Sequence, residues 1–274
     1  MPELPEVETV VAFLSPALQG KFIRSIDLPN GYSKVIENGN LSSVINAVKG
    51  RKIVRLSRRG KYIVFELGQG FLVFHLRMTG KLLLYSLQKK FEKELSFHIG
   101  FKDNSNLYFY DTRKFGRIYF SRTLEWLEEK LGIEPLSKEF NLSWLTQSLG
   151  QRKRMMKPLF LDQSYIAGLG NIYIDEILWK ASIHPQSISN KIPEQSIPNL
   201  YKSIRSILQD AISYNGTTFI NFSFGENRIG EFKEKLNIFG KQGQSCPNCL
   251  GKIQKIRVGQ GGTHICNHCQ KLYV

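Results

Sequence analysis

The chain has 274 residues, 42% of them hydrophobic, which is enough to form two compact domains. Thirty-eight Lys and Arg against 23 Asp and Glu give a net charge of +15, which favours a polyanion partner, most often nucleic acid. The alternatives are a merely solubilising basic surface or an anionic membrane, but no basic amphipathic helix is evident. No apolar run approaches the roughly 20 residues of a membrane span, and no signal-peptide pattern is present. We therefore expect an intracellular, cytoplasmic protein that binds no membrane.

The first predicted element is a helix over residues 5–18. Pro5 suits its first turn, Gly20 suits its end, and Pro16 is expected to bend or shorten its last turn. The apolar residues that recur at helical spacing are Val7, Val10, Val11, Leu14 and Leu18.

The residues before this helix, in MPELPEVETV, allow two interpretations. If Met1 is removed, Pro2 carries a secondary amine with a pKa of roughly 8. Such an amine can attack a carbonyl-like carbon and give a cationic iminium that acts as an electron sink, with Glu3 and Glu6 moving the protons. The other interpretation is a helix cap with acidic residues that the helix dipole favours. These ten residues alone leave both open.

The pattern changes to short β-type runs from about residue 22 to 120. Gly, Asn and charged turns separate the runs, and their number and spacing predict a β-sandwich or barrel. The runs are FIRSIDL, RKIVRLS, KYIVFEL, FLVFHL, KLLLYSL, LSFHIGF, NLYFY and RIYF.

From about residue 124 the period becomes helical. The predicted helices are LEWLEEKLG, LSWLTQSLG, the stretch from Asn171 to Trp179, and IPNLYKSIRSILQDAI. We predict an N-terminal β-domain at 1–120, a hinge at 121–135, a helical domain at 136–238 and a Gly- and Cys-rich ribbon at 239–274.

All four cysteines lie in the ribbon, as two C-x2-C pairs separated by 16 residues: Cys246, Cys249, Cys266 and Cys269. This spacing predicts one structural zinc ion with four thiolate ligands and no open position for catalysis. His264 and His268 are expected at the surface or beside the ligands rather than on the metal. Residues 241–274 hold five Lys or Arg and no acid, which favours contact with nucleic acid.

Six features occur in a fixed order: MPELPEVET, KYIVFEL, HLRMTG, DTRKFG, GLGNIYIDEILW and the cysteine ribbon. Together they resemble the bacterial formamidopyrimidine-DNA glycosylases, a bifunctional base-excision repair family, from residue 1 to about 270. The resemblance implies an α+β multidomain fold: an N-terminal helix with an antiparallel β-sandwich, a helix–two-turn–helix domain and a terminal zinc ribbon. It also implies a monomer acting on double-stranded DNA that contains oxidised bases or abasic sites. Leu4 favours this branch over the endonuclease VIII group, which usually has glycine there.

The same resemblance implies the catalytic residues. Pro2 would be the nucleophile on C1′ of the damaged nucleotide, Glu3 the general acid/base for ring opening, and Glu6 an aid to proton transfer. The iminium then drives β- and δ-elimination of the strand. Lys61 would contact phosphate and lesion beside the active site, although a lysine at a strand start is more often a solvated charge. Arg58 and Arg59 are expected to be ordinary basic surface.

The DNA contacts also follow from the resemblance. Met78, Arg113 and Phe115 would fill the gap that the extruded base leaves, as wedge side chains do in other base-flipping proteins. Met78 and Phe115 could instead be plain core residues. Lys157 would lie near the phosphate backbone, although a basic run such as QRKRMMKP is usually only a solvated face. Asn171 would contact phosphate at the start of its helix.

Three positions depart from the family pattern. Gly261 stands in GQGGTHIC where the ribbon usually has a phosphate-gripping arginine, which Lys255 or Arg257 could replace. Arg77 stands where glycine commonly precedes the wedge methionine, and Ile220 where a basic residue often lies. The stretch FSFGENRIGEF has the Gly and charged residues of a mobile lid.

The leading hypothesis is excision of oxidised purines, namely 8-oxoguanine and formamidopyrimidines. The alternatives are an endonuclease VIII-like enzyme for oxidised pyrimidines, a DNA-binding homologue with weakened catalysis, and a proline-amine tautomerase. The last has no use for the basic charge or the ribbon.

Overall fold

The structure, a computed structural model, describes residues 1–84, 93–218 and 229–274. Its contacts divide the chain into two compact units. The first unit comprises Met1–Glu128 and Tyr214–Lys233, and the second comprises Glu129–Ser213 and Glu234–Val274. The predicted domain limits and the hinge stay predictions.

The first unit begins with helix α1, Leu4–Leu18, which has Pro5 in its first turn. Of the two effects predicted for Pro16, the shortening of the last turn is wrong, because the helix continues to Leu18 and the Gln19 N–H donates to the Ser15 carbonyl at 3.0 Å. The bend stays a prediction. Proline removes only its own N–H from the helix, while the fully buried Leu14 and Leu18 keep this turn packed. Gly20 follows with a φ of 90°, a conformation that glycine adopts without strain.

Two four-stranded antiparallel sheets follow. The first sheet has the order β2 (Arg55–Arg59), β3 (Tyr62–Glu66), β4 (Phe71–His75), β8 (Arg117–Ser121). The second has the order β1 (Ile23–Asp27), β6 (Leu95–Phe101), β7 (Asn106–Asp111), β5 (Gly80–Leu83). Residues of the KLLLYSL run after Leu84 lie outside the described residues.

The two sheets share one hydrophobic core, so the predicted sandwich is confirmed. The Phe74 ring of the first sheet lies edge-on to Phe97 and Phe109 of the second, at 6.0 Å between ring centroids in both cases. Helix α2, Leu41–Val48, was not predicted, although Leu41, Val44, Ile45 and Val48 recur at helical spacing. The Asn40 side chain caps this helix by accepting the Ser43 N–H at 2.9 Å.

Five helices lie further along the described chain: α3 (Glu125–Lys130), α4 (Leu142–Gly150), α5 (Met156–Leu161), α6 (Asn171–Lys180) and α7 (Ile197–Ser213). The sequence predicted all of them except α5, a short helix with a lysine and a proline in its first turns. A hairpin of β9 (Gln254–Val258) and β10 (Gly261–Ile265) carries the ribbon. Within the ranges that the structure describes, no helix is long and apolar enough to cross a membrane.

Candidate active site and DNA-binding surfaces

The start of α1 buries two carboxylates beside Pro2. Pro2 is itself buried, and Glu3 and Glu6 are 3% and 1% exposed. Glu6 Oε2 accepts the Glu3 N–H at 2.7 Å, and Glu6 Oε1 accepts the Thr217 N–H at 2.7 Å. The interpretation of this segment as a helix cap is therefore correct, because Glu6 accepts the backbone N–H of Glu3 at the start of the helix. Burial of two carboxylates is costly without compensation and is unusual for a simple cap.

Lys61 belongs to the same group of charges. It precedes β3 and is only 5% exposed, so it is not a solvated strand-end charge. Burial lowers the pKa of Lys61 from its usual 10.5, while the negative charges of Glu3 and Glu6 act in the opposite direction. The cluster thus brings together a proline, two carboxylates and an amine that is easier to deprotonate than an exposed lysine.

Two arginines before Lys61 form ion pairs that tie this strand to its surroundings. Arg58 Nε lies 2.7 Å from Glu8 Oε2 of α1, and Arg59 Nε lies 2.8 Å from Glu128 Oε2. The arginine side chains are 9% and 16% exposed, so the prediction of ordinary basic surface is wrong. The Arg58 pair links the turn that carries Lys61 to the helix that carries Glu3. No local pattern in the sequence indicates this pair.

Met78, Arg113 and Phe115 lie together on the first unit. Arg113 Nη1 lies 3.0 Å from Met78 Sδ, and its guanidinium carbon lies 4.7 Å from the centre of the Phe115 ring. Met78 is 42% exposed and Phe115 is 46% exposed, so neither is a core residue. Exposed apolar side chains held by a cation are suited to occupy a gap in a base stack.

A buried aspartate, which sequence reasoning missed, holds the two turns that carry this group. Asp111 Oδ1 accepts the Thr79 hydroxyl and, at 3.2 Å, the Arg113 N–H. Asp111 Oδ2 accepts the Gly116 N–H at 2.6 Å. The signal was present in DTRKFG, since an aspartate that opens a turn commonly accepts amides further along it.

In the second unit Lys157 is fully buried rather than solvated. Its ammonium donates to Asp175 Oδ1 of α6 at 2.6 Å and to the Gly262 carbonyl at 3.0 Å. Asp175 Oδ2 accepts the His264 N–H at 2.8 Å. This network joins α5, α6 and the β9–β10 hairpin. The phosphate contact of Lys157 stays a prediction.

Asn171 lies at the start of α6, beside the turn of that hairpin. A Cβ added to Gly261 would lie 3.0 Å from Asn171 Oδ1 and 3.8 Å from Lys157 Cε. The position of the missing arginine is therefore adjacent to both predicted phosphate contacts. Lys255 is also close, because a Cβ on Gly262 would lie 4.0 Å from its Nζ.

Of the other two departures, Arg77 has a φ of 52° and donates its N–H to His75 Nδ1 at 3.0 Å. Ile220 and most of FSFGENRIGEF lie outside the described residues.

The four cysteines form one compact cluster, with all four Sγ atoms within 4.8 Å of one another. Cys246 and Cys269 Sγ are 3.7 Å apart, and Cys249 and Cys266 Sγ are 3.4 Å apart. A zinc–sulfur distance of about 2.3 Å requires tetrahedral edges of roughly 3.8 Å, so the set fits zinc. His264 and His268 are not needed as ligands, because four thiolates complete the tetrahedron.

A β-sandwich with a buried proline–carboxylate–lysine cluster, a helical unit and a four-cysteine ribbon together define a class of zinc-containing, DNA-binding enzyme. Comparison with protein families agrees with each part. The model for the formamidopyrimidine-DNA glycosylase N-terminal domain matches residues 1–118, the model for its H2TH domain matches 131–223, and the zinc finger found in FPG and IleRS matches 243–272.

Curated relatives match over whole chains. The formamidopyrimidine-DNA glycosylase of Lactobacillus helveticus is 38% identical over 100% of both chains, and that of Pediococcus pentosaceus is 40% identical over 99% of this chain and 100% of its own. A Lactococcus lactis FPG point mutant bound to Fapy-dG DNA superposes with a TM-score of 0.90 at 38% identity, over 98% of this chain and 100% of that one.

The chain belongs to the formamidopyrimidine-DNA glycosylase family, whose members are DNA glycosylases of base excision repair. The predicted family, fold and single structural zinc are thus confirmed.

Proposed function

We propose that the protein is a bifunctional DNA glycosylase and abasic-site lyase that excises oxidised purines through an iminium formed on Pro2. The buried cluster at the start of α1 carries this proposal, since it groups Glu3 and Lys61 with the chain start, where a secondary amine can form. The amine exists only after Met1 is removed, because in the unprocessed chain the Pro2 nitrogen is part of an amide.

In the proposed reaction the Pro2 nitrogen forms a bond to C1′ of the damaged nucleotide and the bond from C1′ to the base breaks. The departing base takes up the proton that the Pro2 amine loses. Glu3 donates a proton to the sugar ring oxygen as the ring opens, and the product is a cationic iminium. Because this cation withdraws electrons, the C2′ proton is acidic and its removal expels the 3′ phosphate. A second elimination expels the 5′ phosphate, and water then hydrolyses the iminium to release Pro2.

We assign the remaining residues to holding DNA. Lys61 contacts a phosphate beside the lesion, and Met78, Arg113 and Phe115 replace the extruded base in the stack. Asn171 contacts phosphate from the start of α6, and Lys157 contacts the phosphate backbone nearby, since a Cβ added at Gly261 would lie within 4 Å of both side chains. The zinc ion holds the ribbon hairpin and takes no part in the chemistry, since its four ligands leave no open position.

The proposed substrates are 8-oxoguanine and formamidopyrimidines opposite cytosine in double-stranded DNA. L. lactis FPG has been crystallised with Fapy-dG DNA and with abasic-site DNA. Oxidised pyrimidines are a second candidate, because wild-type L. lactis FPG (TM-score 0.88, 37% identity) has also been crystallised with DNA that contains an oxidised pyrimidine. Single-turnover cleavage of duplexes with 8-oxoguanine, formamidopyrimidine or thymine glycol ranks these classes.

The proposal is tested by borohydride trapping on lesion DNA, using protein whose processed N-terminus has been verified by mass spectrometry. Wild-type protein should give a covalent protein–DNA adduct, and Pro2→Gly should lose it. Absence of any adduct with processed wild-type protein would favour the alternative of a DNA-binding homologue without catalysis.

We further propose that the protein acts as a monomer in the bacterial cytoplasm, at the nucleoid. Light scattering measures the molecular mass of the free and the DNA-bound protein and so tests whether it is a monomer.

A further inference from the structure

The Glu6 carboxylate joins two parts of the first unit that are 211 residues apart. One oxygen accepts the N–H of Glu3, next to Pro2, and the other accepts the N–H of Thr217, both at 2.7 Å. Glu6 is 1% exposed and Thr217 is 3% exposed, so water does not compete for these bonds. Charge-assisted hydrogen bonds of this kind, in a buried setting, are strong and directional.

The segment around Thr217 is shaped to receive the carboxylate. Gly216 has a φ of 76°, and a Cβ there would lie 2.7 Å from Glu6 Oε1. Residues 214–217 pair with 230–232, since the Glu231 N–H donates to the Tyr214 carbonyl at 2.9 Å and the Phe232 N–H donates to the Gly216 carbonyl at 3.0 Å. A Cβ on Gly230 would lie 2.3 Å from the Gly216 carbonyl. Two glycines therefore allow the close approach.

We propose that Glu6 is a positioning residue that fixes Pro2 and Glu3 against the Thr217 segment, rather than a carrier of protons. This inference rests on the proposed function of Pro2. Both carboxylate oxygens accept buried backbone amides, so a proton on either would replace a charge-assisted hydrogen bond by a weaker neutral one, at a cost in stability. A fixed anionic acceptor therefore suits the site better than a group that changes protonation in each turnover.

The consequence is that the reacting nitrogen is placed by contacts outside α1. Misplacement by about 1 Å can slow a positioned reaction by roughly a hundredfold. Displacing Thr217 should therefore slow the chemistry without removing any group that takes part in it.

The experiment compares Gly216→Ala with Gly50→Ala in the full-length, processed protein. Gly50 is a matched control, because its φ is 80° and a Cβ there would meet nothing within 4 Å. Both variants carry the same backbone strain, but only the first pushes on Glu6. We expect Gly216→Ala to excise the lesion at least about tenfold more slowly than Gly50→Ala in single turnover. Its affinity for DNA with a tetrahydrofuran abasic analogue, and its pH–rate profile, should match those of the control.

A double-mutant cycle with Glu6→Ala completes the test. If Glu6 acts through the Thr217 amide, Gly216→Ala should add no further loss in the Glu6→Ala background. Gly230→Ala replaces Gly216→Ala in the cycle if the latter does not fold. Its added Cβ would meet the Gly216 carbonyl and so displace the same segment. It should show the same non-additivity with Glu6→Ala. Multiplicative losses, or Gly216→Ala rates equal to those of Gly50→Ala, would overturn the proposal. Failure of the proposed function would look different, because wild-type protein would then give no borohydride adduct.

Discussion

The Lys157 ammonium lies 2.6 Å from the Asp175 carboxylate, and both side chains are fully buried. A lysine in a basic run is thereby held inside the second unit, where it pairs with α6 and with the Gly262 carbonyl. Removing one partner of a buried ion pair leaves the other charge uncompensated, which is more damaging than losing an exposed pair.

We therefore expect Lys157→Met to reduce the free energy of unfolding by about 3–5 kcal/mol. Lys153→Met is the control, because it removes the same charge from an exposed position in the same run. Urea unfolding followed by circular dichroism measures both. Equal stability of the two variants would show that the pair contributes little. DNA binding by folded Lys157→Met tests the predicted phosphate contact. If the slope of log affinity against log salt concentration is shallower than that of wild type by roughly 0.9, the contact is supported.

Gly261→Arg should strengthen DNA binding, because it adds a cation beside Asn171 and Lys157. Gly261 has an ordinary φ, so arginine is compatible with the backbone, and Asn171 needs to yield only slightly to accept the new Cβ. We expect the slope of log affinity against log salt to steepen by roughly 0.9 if the new cation binds one phosphate. Gln260→Arg, one residue away on the same turn, controls for added charge alone. Identical behaviour of the two variants would show that the Gly261 position has no special access to DNA.

Removal of zinc should abolish DNA binding while the β-sandwich of the first unit remains folded. The apolar cluster around the ligands is small and includes Trp179 and Ile238 from outside the ribbon, so metal binding supplies most of the folding free energy of the ribbon. Trp179 reports on the site, because its indole N–H lies 3.4 Å from Cys246 Sγ. Chelation should change tryptophan emission in wild-type protein and much less in Trp179→Phe. If chelated protein binds lesion DNA as before, the ribbon has no role in binding.

The burial of Lys61 gives a pH dependence with a definite sign. Its pKa is lowered mainly by burial, so above that pKa the folded state has lost a proton that the unfolded state still holds up to about 10.5. Stability from this group therefore rises with pH across that window. The unfolding free energy of wild type minus that of Lys61→Met should increase as the pH rises from the lowered pKa of Lys61 towards 10.5. Exposed Lys49→Met corrects for loss of a charge, and a difference that falls with pH would contradict the assignment.

Local patterns predicted the elements whose burial repeats at a regular period. The eight runs between residues 22 and 120 correspond to strands β1–β8, and the 3.6-residue period predicted α1 and α7. Helices α2 and α5 were missed. The signal for α2 was present, since Leu41, Val44, Ile45 and Val48 recur at helical spacing after the Asn40 cap, whereas α5 is six residues long with a proline. Helix α5 is stabilised by packing that the local sequence does not display.

The candidate site likewise contains features that the local sequence reveals and features that it does not. The cysteine spacing and the sequence at Pro2, Glu3 and Glu6 are contiguous, so their chemistry can be inferred directly. The contacts of Glu6 with Thr217, Arg58 with Glu8 and Lys157 with Asp175 join residues that are far apart in sequence. Such partners leave no periodic signal, which explains why Arg58 and Lys157 looked like solvated cations.

In the proposed mechanism the Pro2 nitrogen is the group that bonds to the sugar. The cluster contains a second amine, Lys61, whose lowered pKa makes it a chemical competitor. Mapping the borohydride-reduced adduct by proteolysis and tandem mass spectrometry distinguishes the two. We expect the sugar remnant on the N-terminal peptide at Pro2, in protein that lacks Met1. An adduct on Lys61 in otherwise active wild-type protein would contradict it.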